Sequence, residues 1–190
     1  MQVIKSLVCL GTVLSITGCA NIVVPAPQPT AANVAAAKKL PQAVKMGTFT
    51  AASTLSAGAD QSISVRGSNT LKAPAGQGFS GYLRDVLATD LRAAGKLDEA
   101  SPIAISGELT QSELDAGMSV GAGKLSARLL VTRNNSVCLD KSLTASSQWE
   151  SSFMAAVAVP TAFNQYSALF PELAGKLLKD ADFLSRCAGQ

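Results

Sequence analysis

The chain has 190 residues, 47% of them apolar and 15% charged, the balance of about one compact domain with a single modest core. Its 16 basic and 13 acidic side chains leave a net charge of +3, too small and too dispersed for a nucleic-acid footprint, which needs basic residues gathered on one face. Histidine is absent, so serine–histidine and cysteine–histidine catalysis and histidine-ligated zinc are excluded.

Residues 1–18 carry one charge, Lys5, followed by an apolar run over residues 7–16 broken only by small residues. This is the pattern of an export signal. A spanning helix needs about 20 apolar residues, so the run guides secretion rather than crossing a bilayer. It ends in Ile16-Thr17-Gly18-Cys19, which resembles the lipobox of bacterial lipoproteins. The resemblance implies cleavage before Cys19, acyl chains such as palmitate attached to it, and a mature protein tethered to the lipid bilayer. Because Ala20 rather than aspartate follows the cysteine, it further implies the outer membrane, with the domain facing the periplasm.

Residues 19–45 are rich in alanine and proline, with Pro25, Pro27, Pro29 and Pro41 and no aromatic side chain. They read as an extended tether at about 3.1 Å per residue. Residues 31–40 have helix-forming composition but no apolar stripe, and are assigned to the tether. The folded domain is expected over residues 46–190.

Weak alternation around residues 49–54 and 63–66 predicts one or two strands. Phe79, Tyr82, Leu83, Val86, Leu87 and Leu91 recur at spacings of three and four, which predicts a helix over residues 80–96 with Arg84, Asp85, Asp90 and Arg92 outward and Gly95 closing it. The period then becomes two. Ile103, Ile105 and Leu109 mark one half-buried strand, and Leu114, Ala116, Met118 and Val120 a second.

Leu125, Ala127, Leu129 and Val131 mark a third strand, and Asn134-Asn135-Ser136 a turn into a fourth through Leu139, Leu143 and Ala145. A three-residue loop pairs Val131 with Leu139, Leu129 with Lys141 and Leu125 with Ala145, keeping apolar side chains together; a two-residue loop sets Leu129 opposite Asp140. The first register is preferred. A final helical region carries Phe163, Tyr166, Leu169, Phe170, Leu173, Leu177 and Leu178, with Pro171 kinking it or starting a new helix. The predicted class is α+β: one two-layer domain with a mostly antiparallel or mixed sheet of about four to six strands and two main helices on one face.

With Cys9 removed and Cys19 acylated, Cys138 and Cys187 remain as an even pair in a compartment that permits disulfides. A bridge is predicted, against the alternative of two separate thiols. The preferred register complicates it by placing Cys138 on the face opposite Leu139. Gly121-Ala122-Gly123-Lys124 lacks the first glycine of a phosphate loop, Met118 standing there, and has Leu125 where a hydroxyl is required. Glu113 and Asp115 project together from a strand and read as a solvated face rather than a carboxylate pair. No cofactor, metal or catalytic group is expected.

The apolar run over residues 153–159 supplies the candidate partner-binding residues Phe153, Met154, Val157 and Val159; its alternative is a buried strand or the first turn of the last helix. Lipobox, tether, early helix, consecutive strands and terminal helix are together similar to the auxiliary lipoproteins of ABC-type transport systems and the LptE-like group. That similarity implies a non-enzymatic scaffold or accessory subunit of a cell-envelope machine with an envelope protein partner. A lipid- or cell-wall-fragment-binding module and a carboxylate hydrolase using Glu113 and Asp115 are the alternatives.

Overall fold

The computed structural model of the chain describes residues 21–67 and 69–189. In order these form β1 (Asn21–Val23), α1 (Ala31–Lys38), β2 (Lys45–Ala51), β3 (Ser62–Val65), β4 (Asn69–Lys72), α2 (Gly78–Ala93), β5 (Ile103–Ala116), β6 (Val120–Arg133), β7 (Ser136–Glu150), α3 (Ala155–Leu178) and a π-helical turn, Phe183–Cys187. The class is α+β as expected, but the strands make two mixed sheets instead of one. The larger has the order β2-β5-β6-β7, parallel only between β2 and β5; the smaller has the order β1-β4-β3.

Helices α2 and α3 pack against each other and on the larger sheet. Leu125, Ala127, Leu129 and Val131 of β6 share one buried cluster with Leu83, Leu87 and Leu91 of α2 and with Phe163, Phe170 and Leu173 of α3. Between the helices Tyr82 and Phe170 stack edge to face at 4.8 Å, and within α3 Tyr166 and Phe170 do so at 5.4 Å, the arrangement that ring quadrupoles favour. α2 ends as its sequence predicts. Gly95 adopts a left-handed φ of 68°, its amide donates to Arg92 O, and Lys96 N donates to Leu91 O, which closes the last turn on its own carbonyls. Asp60 tends the opposite end, its carboxylate accepting from Ser80 N at 2.7 Å and Ser80 Oγ at 3.0 Å.

Three expectations are corrected. The segment assigned to the tether belongs to the fold from Asn21 onward. β1 pairs with β4, α1 contacts α2 and α3, and Val24, Ala36, Ala37, Leu40 and Val44 are core residues. α1 has no apolar stripe because its small alanines approach the other helices closely, so the packing is not legible as periodicity. The signal over residues 1–18 and Cys19 lie outside the described residues.

Secondly, the two strands expected over residues 103–120 are a single strand, β5, with a bulge at Thr110. Its inward positions change from Ile103, Ile105 and Leu109 to Ser112, Leu114 and Ala116, because the extra residue reverses the alternation. Met118 and Val120, expected inward, are exposed.

Thirdly, the β6–β7 register is the preferred one, Val131 opposite Leu139 and Leu125 opposite Ala145, but the loop is different. Arg133 pairs with Ser136 across a two-residue turn in which Asn134 and Asn135 have φ of 51° and 64°. A bulge between Val131 and Thr132 on the ladder leaves Cys138 as the extra residue. That bulge releases Cys138 from strict alternation, which resolves the conflict between register and disulfide.

Candidate functional site

Cys138 and Cys187 form a disulfide with a Cα–Cα distance of 5.4 Å. It fastens the chain end to β7 and is supported by an ion pair. Lys141 Nζ donates to Asp180 Oδ2 at 2.7 Å, and the other Asp180 oxygen accepts from the amides of Asp182 and Phe183. Burial alone raises the Asp180 pKa, but the Lys141 ammonium and the two amides outweigh it and hold the carboxyl below its ordinary value. The Tyr166 hydroxyl is shifted upward by burial and shares a 2.7 Å hydrogen bond with Ser112 Oγ, so it stays protonated and serves packing.

Of the four residues predicted to meet a partner, Phe153, Met154 and Val157 are exposed, by 76%, 63% and 52%. Val159 is a correction: it lies in the first turns of α3, is 4% exposed and belongs to the core, because helical periodicity turns it inward. The structure adds two residues that the sequence reading had placed inside, Met118 and Val120. They stand beside the exposed three because Ser151 N donates to Ser119 O at 2.8 Å and Val120 pairs with Glu150.

A residue with no predicted role in the site ties these loops together. Arg66, in the turn between β3 and β4, has a left-handed φ of 46°. Its Nε donates to Ala116 O at 2.6 Å, Nη2 to Gly117 O at 2.6 Å and Ser152 O at 2.7 Å, and Nη1 to Phe153 O at 2.9 Å. One guanidinium thus holds both ends of the apolar patch in place. The sequence marks Arg66 only as the end of a weakly alternating strand over residues 63–66, since the four acceptors lie about 50 to 87 residues away along the chain and are backbone groups without a sequence signature.

Two further surfaces are available. A cleft of about 850 Å³ is bordered by Ser56 and lined by Glu113, Asp115, Lys124 and Gln148 from the outer side of the sheet. Glu113 and Asp115 do share this face, and Glu113 lies across the ladder from Lys124 while accepting from Gln111 Nε2 at 2.7 Å. The second surface is β7 itself, 15 residues long at the end of the sheet order. Among the described residues no cluster of three or more metal-ligating side chains occurs, and no helix is long and apolar enough to cross a membrane.

No protein-family model matches the chain, and no curated protein matches its sequence. Solved structures are similar to it. A Xanthomonas campestris protein of the family DUF330 superposes with a TM-score of 0.54 at 15% identity, covering 83% of this chain and 94% of its own. A lipoprotein candidate from Caulobacter crescentus gives 0.47 at 12% identity, covering 83% and 99%. A minor lipoprotein from Acinetobacter baumannii gives 0.42 at 11% identity, covering 74% and 92%.

Proposed function

We propose that this chain is an outer-membrane lipoprotein, acylated at Cys19, that acts without catalysis as a scaffold or accessory subunit of a cell-envelope assembly or transport machine. The anchor rests on the lipobox at residues 16–19 and agrees with the lipoprotein names of two structural neighbours. The partner role rests on β7. This 15-residue edge strand contains no proline, and between the exposed Asp140 and Glu150 its outward positions Ser142, Thr144, Ser146 and Gln148 are small or polar. Proteins ordinarily shorten, charge or cover such an edge. Here Lys176 Nζ holds the Thr144 carbonyl at 2.6 Å, and the uncharged stretch around it offers further backbone donors and acceptors for strand addition by a partner.

The test is a photo-crosslinking side chain at Ser142 or Ser146 in living cells. A discrete adduct to one envelope protein is expected from both positions and not from Glu172 on α3. If the β7 positions give no adduct, or the same adducts as Glu172, the accessory-subunit reading fails. Labelled palmitate should enter the chain and be lost in Cys19→Ser.

The cleft beside Glu113 and Asp115 favours a second reading, a periplasmic module that binds a lipid or cell-wall fragment. Replacing both carboxylates by alanine separates the two. Loss of the cellular phenotype with the β7 adduct intact would support the cleft instead.

A further inference from the structure

Strands β1 and β4 run parallel, so both begin at the same end of the small sheet. Asn21 lies opposite Thr70, and the adjacent Asn69 pairs with Val65 across the turn that holds Arg66. Cys19 precedes Asn21 by two residues, a reach of at most about 7 Å. A lipid on Cys19 therefore has no long tether behind it. It draws one particular end of the fold toward the bilayer, the end where Arg66 gathers the loops.

That end is also where the large apolar side chains are exposed. Met118 and Val120 stand on or beside the β5–β6 turn, Phe153, Met154 and Val157 on the approach to α3, and Ile22 and Val23 on β1. Among the described residues only Val137 is an exposed large hydrophobe of the opposite end, next to the Asn134-Asn135 turn.

We infer that this end of the fold is a bilayer-contacting surface, with Met118, Phe153 and Met154 set into the headgroup region so that anchor and apolar rim together fix the orientation of the domain. The inference rests on the acylation of Cys19 proposed above. Chain reach selects lipid over a protein partner, because any occupant of the rim must share it with acyl chains attached a few ångströms away. The rim needs no refolding to insert, since the Arg66 bonds to Gly117, Ser152 and Phe153 already hold both loops. Asp115 and Glu150 are exposed on the strands just behind it and mark the depth at which charge stays in water. With the Arg66 donors turned to carbonyls, the attraction is apolar, and zwitterionic lipid is sufficient.

The test uses the acylated chain reconstituted into phosphatidylcholine vesicles carrying bromine at a shallow or a deep acyl position. Trp149 is replaced by phenylalanine, which leaves no orphaned acceptor because the buried indole Nε1 has no hydrogen-bond partner. Single reporters Phe153→Trp, Met118→Trp and Val137→Trp are then compared. Shallow bromine should quench the first two by about twofold or more and leave the third unchanged. If palmitate is present on Cys19 and all three reporters are equally unquenched, the rim does not touch lipid and the inference falls while the anchored reading stands. If palmitate is not incorporated and the chain fails to join vesicles, the anchored reading falls and the inference with it. A concentration-dependent blue shift at Phe153→Trp that needs no lipid would assign the rim to a second copy of the chain, which also overturns the inference.

Discussion

Asn33 Nδ2 donates to the buried carboxylate of Asp90 at 2.9 Å and to the carbonyl of Pro171 at 2.8 Å. One side chain of α1 thereby binds α2 and α3, while the amide of Thr30 supplies the other Asp90 oxygen at 2.7 Å. Both Asn33 and Asp90 are buried, so removing the donor leaves acceptors that water does not reach. Asn33→Ala should cost about 1–3 kcal/mol, seen as a lower urea midpoint at constant slope. Deleting residues 21–45 should abolish cooperative unfolding, since Leu40 and Val44 leave the core with the segment. An unchanged midpoint in the truncated chain would restore the tether.

The Cys138–Cys187 bridge closes a sequence separation of 49 residues. Loop-closure entropy sets its contribution at about 4 kcal/mol. Cys138→Ser should lower the urea midpoint as much as reductant lowers it in the unaltered chain, and reductant should add nothing to the variant. Non-reduced peptide mapping should recover the two cysteines linked, and free thiols at both positions would refute the bridge.

Asp180 predicts an acid-sensitive chain end. Its folded pKa lies below the ordinary carboxylate value despite burial, because Lys141 and two amides favour the charged form. The resulting stability is present above the unfolded pKa of about 3.9 and is lost as pH falls through the folded value. Asp180→Asn should be less stable than the unaltered chain at pH 7, and the gap should close below about pH 4. Arg128→Ala, at an exposed pair with Asp140, should leave stability nearly unchanged. A gap that persists unchanged into acid would show that Asp180 acts other than through its charge.

Gly121 lies under the only tryptophan. A Cβ built there would overlap Trp149 Cε2, so Gly121→Val forces the indole to move. A loss of about 1–3 kcal/mol and a shifted tryptophan emission are expected. The neighbouring Ala122→Val, on the opposite side of the strand, should change neither. Equal spectra for the two variants would contradict the close approach. Gly121 and Gly123 are ordinary ladder residues of β6 paired on both sides.

The parts of the fold that follow a local period are legible in the amino-acid order. Spacing of three and four located α2 and its Gly95 terminus, and alternation located β6 and β7 and their register, because burying one face of a helix or sheet imposes that period on the residues themselves. Bulges escaped it. One residue inserted at Thr110 made β5 look like two strands, and one at Cys138 made a two-residue turn look like three.

The amino-acid order by itself determined the α+β class, since helix and strand periods are properties of neighbours in the chain. Only the tertiary structure decided that α1 is core, that Val159 is buried while Met118 is exposed, and that Arg66 gathers carbonyls from β5 and the approach to α3. Those contacts join residues roughly 50 or more positions apart, and their partners are often backbone atoms or closely packed alanines. Backbone acceptors are the same at every position and alanine packing carries no stripe, so neither leaves a mark that a linear reading can find.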